Sequence, residues 1–162
     1  MAAWGGSVEL DHPSETVWDF LTSASNDANW RGPWVVSVRT LSDGPLAVGS
    51  RYETVYRFFG RLQRVIVETT ELASPRRMAW RQVDDPTVVS NVGSYDLEPL
   101  DGGRTRFTVI GTFTSRGWRR LIDAPFAWYL RHGPVQQQHA QLAAALAAAA
   151  RDPSTAPAAA EA

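Results

Sequence analysis

Alternation of apolar and polar positions dominates the middle of the chain. Six stretches, VVSVRTL, SRYETVYRFF, RLQRVIVETTEL, RMAWRQV, VVSNVGSYDLEPL and RTRFTVIGTFTS, carry side chains that switch face at every residue, and they predict six consecutive strands. Gly60, SPRR, DDP and LDGGR separate most of them, and DGG between alternating runs is the strongest hairpin signal in the chain. Ahead of this block, SVELDH reads as a short strand. PSETVWDFLTS then places Val17, Phe20 and Leu21 at helical spacing behind Pro13 and Ser14, which suit a helix start. NDANWRGPW reads as a turn or a second short helix, broken by Gly32 and Pro33. After Gly117 the period is helical again: Trp118, Leu121, Ile122, Phe126, Tyr129 and Leu130 fall on one face, with Pro125 and Pro134 as interruptions. The expected fold is α+β, a curved antiparallel sheet of about seven strands around a long C-terminal helix, with two short helices after the first strand.

Charge then decides which strand faces look inward. Tyr52, Thr54, Tyr56 and Phe58 oppose Arg51, Glu53 and Arg57, so the aromatic face is the buried one. The same argument turns Met78, Trp80 and Gln82 inward against Arg77 and Arg81, and Tyr95 and Leu97 against Asp96 and Glu98. It turns Phe107, Val109 and Phe113 away from Arg106 and Thr108. In RVIVET the two phases compete, Val65 and Val67 against Ile66, and neither wins. An inner wall so rich in rings is either a solid core or the lining of a ligand pocket, whose walls are apolar with a few orienting polar groups. A curved sheet around one helix encloses more than that helix fills, which favours the pocket.

Composition sets the outer limits. The 162 residues are 44% hydrophobic and 20% charged, as in an ordinary globular domain, and 17 acids against 16 bases give a net charge of −1. That balance argues against a dedicated nucleic-acid binder, which would show a basic excess. Every base is arginine, which together with the many alanines reads as the coding bias of a GC-rich genome. The absence of cysteine excludes disulfides, thiolate metal sites and a cysteine nucleophile. No signal peptide opens the chain and no membrane span is present, so a cytoplasmic protein is expected. Residues 1–6 are expected to be a flexible N-terminus, 7–150 a single domain, and 151–162 a disordered tail rich in Ala and Pro.

The order of elements meets recognisable residues in VELDHPSETVWDFLTSASNDANW. With Pro13, Glu15, Val17, Trp18 and Trp30 it resembles the start of the START-like (SRPBCC) superfamily, in its polyketide cyclase/dehydrase and lipid-transport branch. SPRRMAWR is similar to that family's strand-entry turn, and YDLEPLDGGRTRFT to its last hairpin. The resemblance implies the helix-grip fold, a sheet curled round a long C-terminal helix with a cavity between them, and a small hydrophobic ligand as partner. The superfamily contains cyclases, hydroxylase subunits, hormone receptors and lipid carriers, so the resemblance fixes function less tightly than fold.

Candidate chemistry centres on RHGPVQQQHAQLAAALAAAA, with two of the three histidines. His132 and His139 stand seven apart, whereas a helical metal pair uses i and i+4, and position 136 is glutamine, so neither a metal nor a cofactor is expected. No nucleophile elbow and no Gly-rich phosphate loop are present. At about 100° per residue, His139 shares a stripe with Val135, Leu142 and Leu146, while Gln137 points away. A buried imidazole there needs a partner, which Tyr52, Tyr56, Tyr95 or Asn91 would supply; it is then either a satisfied core histidine or a cavity acid/base. Arg116, Arg119 and Arg120 read as solvated surface or as a rim for an anionic group, and Arg57, Arg61 and Arg64 as cover for the outer sheet. The expected cavity residues are therefore Tyr52, Tyr56, Phe58, Met78, Trp80, Tyr95, Phe107, Phe113, Tyr129 and His139. Two functions follow. One is a polyketide cyclase/dehydratase-like enzyme, with His139 or Tyr56 moving protons. The other is a non-catalytic carrier that uses the same cavity. Chaperone-like partner binding is weaker, since no large exposed apolar stripe shows in the pattern.

Overall fold

A computed structural model describes residues 1–23, 26–85 and 88–151. Seven antiparallel strands form one sheet in the order β1-β7-β6-β5-β4-β3-β2. They are β1 (Ala2–Leu10), β2 (Val35–Thr40), β3 (Arg51–Phe58), β4 (Arg61–Ala73), β5 (Arg77–Gln82), β6 (Val88–Leu100) and β7 (Arg104–Ser115). β2 to β7 follow one another as a meander, and β1 closes the far side against β7. The helices are α1 (Ser14–Thr22), α2 (Asp27–Trp30), α3 (Asp123–His132) and α4 (Pro134–Arg151), with a 3-10 turn over Gly117–Ile122 ahead of α3. This is the helix-grip arrangement, and each of the six alternating stretches forms one strand of the meander.

Inward faces follow the charge argument. Thr54, Met78, Tyr95, Leu97, Phe107 and Val109 are buried. The outward Glu53 pairs with Arg39 and Arg64, and Glu68 pairs with Arg51 and Arg81. The ambiguous RVIVET resolves with Val65 buried and its partner in register, Thr54, buried too. α4 buries Val135, Gln138, His139, Leu142 and Leu146. It lies close to β1 because Gly6 has no side chain: a Cβ there would sit 3.1 Å from both the His139 ring and Val135. Contacts run from α1 to β6 and β7, from α3 to β1 and β7, from α4 to β1 and α2, and from α2 to β2. α1, α3 and α4 thus cover the β1–β7–β6 side, while α2 reaches β2 at the other edge.

Three expectations change. Residues 2–6, expected to be flexible, belong to β1 and pair with 109–113 of β7; Gly5 and Gly6 had diluted the alternation that Ala2 and Trp4 begin. The C-terminal helix is bent, as its prolines led one to expect, but its apolar stripe does not begin at Trp118. Pro125 and Pro134 stand in the first turns of α3 and α4, where a missing amide donor costs nothing. The 3-10 turn ahead of them winds at three residues per turn, so Trp118, Leu121 and Ile122 leave the inward stripe and are 73%, 81% and 53% exposed. An exposed apolar patch therefore exists where the pattern showed none. Arg151 ends α4, and residues 152–162, expected to be a disordered tail, lie outside the described residues.

Candidate functional site

One row across the sheet shapes its inner surface. Trp80 of β5 stands opposite Gly93 of β6, Gly93 opposite Gly111 of β7, and Gly111 opposite Trp4 of β1. Each indole lies flat over a glycine. A Cβ on Gly111 would come within 2.3 Å of the Trp4 ring, and one on Gly93 within 2.5 Å of the Trp80 ring. Glycine inside a strand marks such a close approach, and here it lets two large rings pave the sheet without filling the space above it.

Above that floor is a hollow of about 1120 Å³. Of the residues expected on its wall, Tyr52, Tyr56, Phe58, Met78, Trp80, Tyr95 and Phe113 line it, and Phe107, Tyr129 and His139 do not. Phe107 is fully buried behind the wall, edge-on to Trp30 and stacked with Tyr95. Tyr129 packs with Phe58, Phe59 and Phe126 instead. His139 is 3% exposed, with its ring edge-on to Phe107 at 5.8 Å and Gly6 beneath it. Its Nε2 has no hydrogen-bond partner among the described residues, and burial alone pushes its pKa down. The partners foreseen for it are elsewhere; Asn91, for one, donates to Gln82 at 2.7 Å. His132 is on the surface, with Nδ1 2.8 Å from the Trp128 carbonyl oxygen. Among the described residues no group of three or more His, Cys, Asp or Glu side chains converges as a metal site would require.

The polar groups that do face the hollow gather around the second short helix, whose presence the sequence suggested but whose side chains it gave no role. α2 is a single turn that Asp27 opens and Arg31 caps, which places the two at i and i+4, both on the wall. Arg31 Nε donates to Asp27 Oδ1 at 2.9 Å, and the two side chains are only 14% and 9% exposed. The guanidinium also rests 5.1 Å from the Trp30 ring centre. Burial works against its charge, but Tyr95, Asp27 and Tyr56 outweigh it and the pKa of Arg31 ends above its ordinary value. Tyr52, Tyr56 and Tyr95 all have raised pKa values, chiefly through burial, with Arg31 pulling each of them part of the way back. They remain phenols, able to donate an O–H. Gln138 of α4 completes this polar end of an otherwise apolar chamber. A buried pair of opposite charges is electrically neutral. Its other guanidinium nitrogens, with the tyrosine hydroxyls, are donors suited to an oxygen inside low-dielectric surroundings.

Residues 1–147 match the family model described as polyketide cyclase / dehydrase and lipid transport. No curated protein matches the chain. Among solved structures, a START superfamily protein from Mycobacterium smegmatis superposes with a TM-score of 0.74 at 12% identity, covering 91% of this chain and 99% of that one. A protein from Nitrosomonas europaea gives 0.71 at 22% identity, with 93% and 97% covered. The ZhuI aromatase/cyclase from Streptomyces sp. R1128 gives 0.69 at 18% identity, with 95% and 96% covered. At these identities the likeness is one of fold.

Proposed function

The chain belongs to the polyketide cyclase / dehydrase and lipid transport family, and on that premise we propose that it binds a neutral, mainly aromatic or hydrophobic small molecule with one oxygen function. The observation that carries this reading is the chamber itself: about 1120 Å³ of space walled by rings, with polar groups gathered around Asp27 and Arg31. Apolar surface provides the drive and the polar end provides orientation. Because Asp27 already balances Arg31, a ligand carrying its own charge would be left uncompensated, whereas a carbonyl or hydroxyl adds hydrogen bonds without net charge.

Titration calorimetry with acetylnaphthalene and ethylnaphthalene, alike in shape, tests it. The ketone should bind about tenfold more tightly, as one net buried hydrogen bond of about 1 kcal/mol or slightly more allows. Replacing the pair together, Asp27→Leu with Arg31→Met, should erase that preference and leave ethylnaphthalene binding intact. If neither compound binds the wild-type protein, the chamber is not a ligand site. If both bind equally, the role given to Arg31 is wrong.

A catalytic reading rests on the same cluster. A tyrosine that stays protonated beside a cation is able to donate to a carbonyl oxygen, while Asp27 accepts a proton from the adjacent carbon, as aldol-type closure or dehydration requires. The fold shared with an aromatase/cyclase agrees with that chemistry. In this reading Tyr56 is the proton donor and His139, packed behind the wall, is a core residue. Tyr56→Phe should then leave binding intact and remove any turnover of a β-polyketone; unchanged turnover would exclude Tyr56.

A further inference from the structure

Two elements that border the hollow carry large apolar side chains into solvent. The first is the β3–β4 hairpin. Its two-residue loop is Phe59–Gly60, with φ of 51° and 75°, the left-handed geometry of a turn that Asn–Gly adopts most readily. A bulky ring is strained in that conformation, and although one side of it meets Tyr129, Phe59 is 76% exposed, and Leu62 beside it is 62% exposed. The second is the 3-10 turn Gly117–Ile122, in which no residue is buried. At three residues per turn, Trp118 and Leu121 stand one above the other, both facing solvent. Phe59, Leu62, Trp118 and Ile122 all border the hollow and are exposed, so both elements stand at its rim.

Charge on these elements is one-sided. Segments 57–62 and 116–122 hold Arg57, Arg61, Arg116, Arg119 and Arg120, and neither contains an acid, in a chain whose net charge is −1. On the outer face of the sheet, by contrast, Arg39, Arg51, Arg81 and Arg106 each stand against a glutamate, so cationic and anionic side chains are interspersed there. Protruding Trp, Phe and Leu ringed by arginine is the composition that settles at a bilayer interface, where apolar tips enter the headgroup layer and guanidinium groups meet phosphates. A second copy of this chain is a poor occupant, since a two-fold contact would set the same cationic patch against itself.

We propose that this face rests on an anionic lipid surface, with Phe59, Leu62, Trp118 and Leu121 entering the headgroup layer and the opening of the hollow turned toward the bilayer. No membrane-spanning element is involved, and among the described residues no helix is long and apolar enough to be one. The proposal does not need the ligand reading: vesicle binding is measured with no small molecule present.

The test is co-sedimentation of the full chain with vesicles of phosphatidylcholine mixed with phosphatidylglycerol, against vesicles of phosphatidylcholine alone. The protein should bind the mixed vesicles, and added salt should weaken the binding. Trp118→Ser with Leu121→Ser, both on the surface, should weaken it by about tenfold or more. Arg116→Glu with Arg120→Glu should do the same, whereas Ile110→Thr, an exposed apolar residue of β7, should change nothing. Phe59→Asn should weaken binding while raising the melting temperature, a pair of opposite signs that general damage to the fold cannot produce. Absence of binding to mixed vesicles overturns the proposal. So does binding that the Trp118 and Leu121 substitutions leave intact, which would make the face a simple polyanion site. Self-association of the wild-type protein that Trp118→Ser abolishes would assign the face to a second copy and overturn it as well.

Discussion

Gly93 and Gly111 face each other across β6 and β7, each beneath a tryptophan, yet adding one methyl group to either should have different consequences. A Cβ on Gly111 has the Trp4 ring as its three nearest neighbours, at 2.3, 2.3 and 2.7 Å. Ordinary carbon contact begins at about 3.5 Å, so the ring must move by more than ~1 Å. It is able to do so, because Trp4 borders the hollow and swings into open space. A Cβ on Gly93 meets the Trp80 ring at 2.5 Å and also the Ile110 carbonyl oxygen at 2.7 Å. The second obstacle is backbone of the adjacent strand, and no side-chain rotation relieves it. Overpacking that must shift backbone costs about 1–3 kcal/mol, while Gly→Ala restores about 0.4–1 kcal/mol by restricting the unfolded chain. Gly93→Ala should therefore be destabilised by about 1–2 kcal/mol, and Gly111→Ala should stay within ~0.5 kcal/mol of wild type. Urea denaturation followed by circular dichroism reads both values through the transition midpoint. Gly111→Ala, stable but with its floor raised, should lose affinity for the bulkiest apolar probes first. A Gly93→Ala protein as stable as Gly111→Ala would refute the packing argument and the flat Trp–Gly–Gly–Trp floor with it.

Arg31→Met alone leaves Asp27 as an unpaired carboxylate facing the chamber, and should cost about 2–3 kcal/mol in urea unfolding; Asp27→Leu added to it should recover most of that loss. His139 is held neutral by burial, with its folded pKa below the unfolded value of about 6.5. As pH falls through that unfolded value only the unfolded chain takes up the proton, so stability declines with acidification; His139→Leu should flatten the decline between about pH 6.5 and pH 5, and identical slopes would show that the imidazole is charged in the fold. Phe59→Asn removes a bulky side chain from the left-handed turn and should raise stability by about 1 kcal/mol, with a lower urea midpoint contradicting the strain. Leu142→Ala, at a fully buried position on α4, should cost about 2–5 kcal/mol if the helix seats as described.

The strand faces were legible in the sequence because charge on one face of a strand leaves a single choice for the other. Arg51, Glu53 and Arg57 were enough to place Tyr52, Tyr56 and Phe58. The polar end was not legible, because α2 is one turn long and no period develops over four residues; the only signal was the i, i+4 spacing of an acid and a base beside Trp30. His139 shows the limit of a helical wheel. The wheel gave the inward direction correctly, and His139 is buried, but direction around an axis does not say which strand lies opposite. α4 runs over β1, where Gly6 admits the ring and Phe107 meets it, short of the hollow. Trp118, Leu121 and Ile122 were misassigned because a 3.6-residue period was carried through a segment that winds at 3.0.

Joining the first strand to the last also fixes an order of assembly. Residues 2–10 pair with 105–113, roughly a hundred positions away, whereas every pair from β2 to β7 is between neighbours in the chain. A growing polypeptide can zip β2 through β6 as it emerges, but β1 has no partner until β7 has been made, and α4, which rests on β1, follows later still. Non-local pairing of this kind is slow to form, and until it does the concave aromatic face has no roof. Newly made chains therefore pass through an interval, ended only when β7 and α4 have been made, in which the rings of the future chamber are open to any apolar surface that meets them.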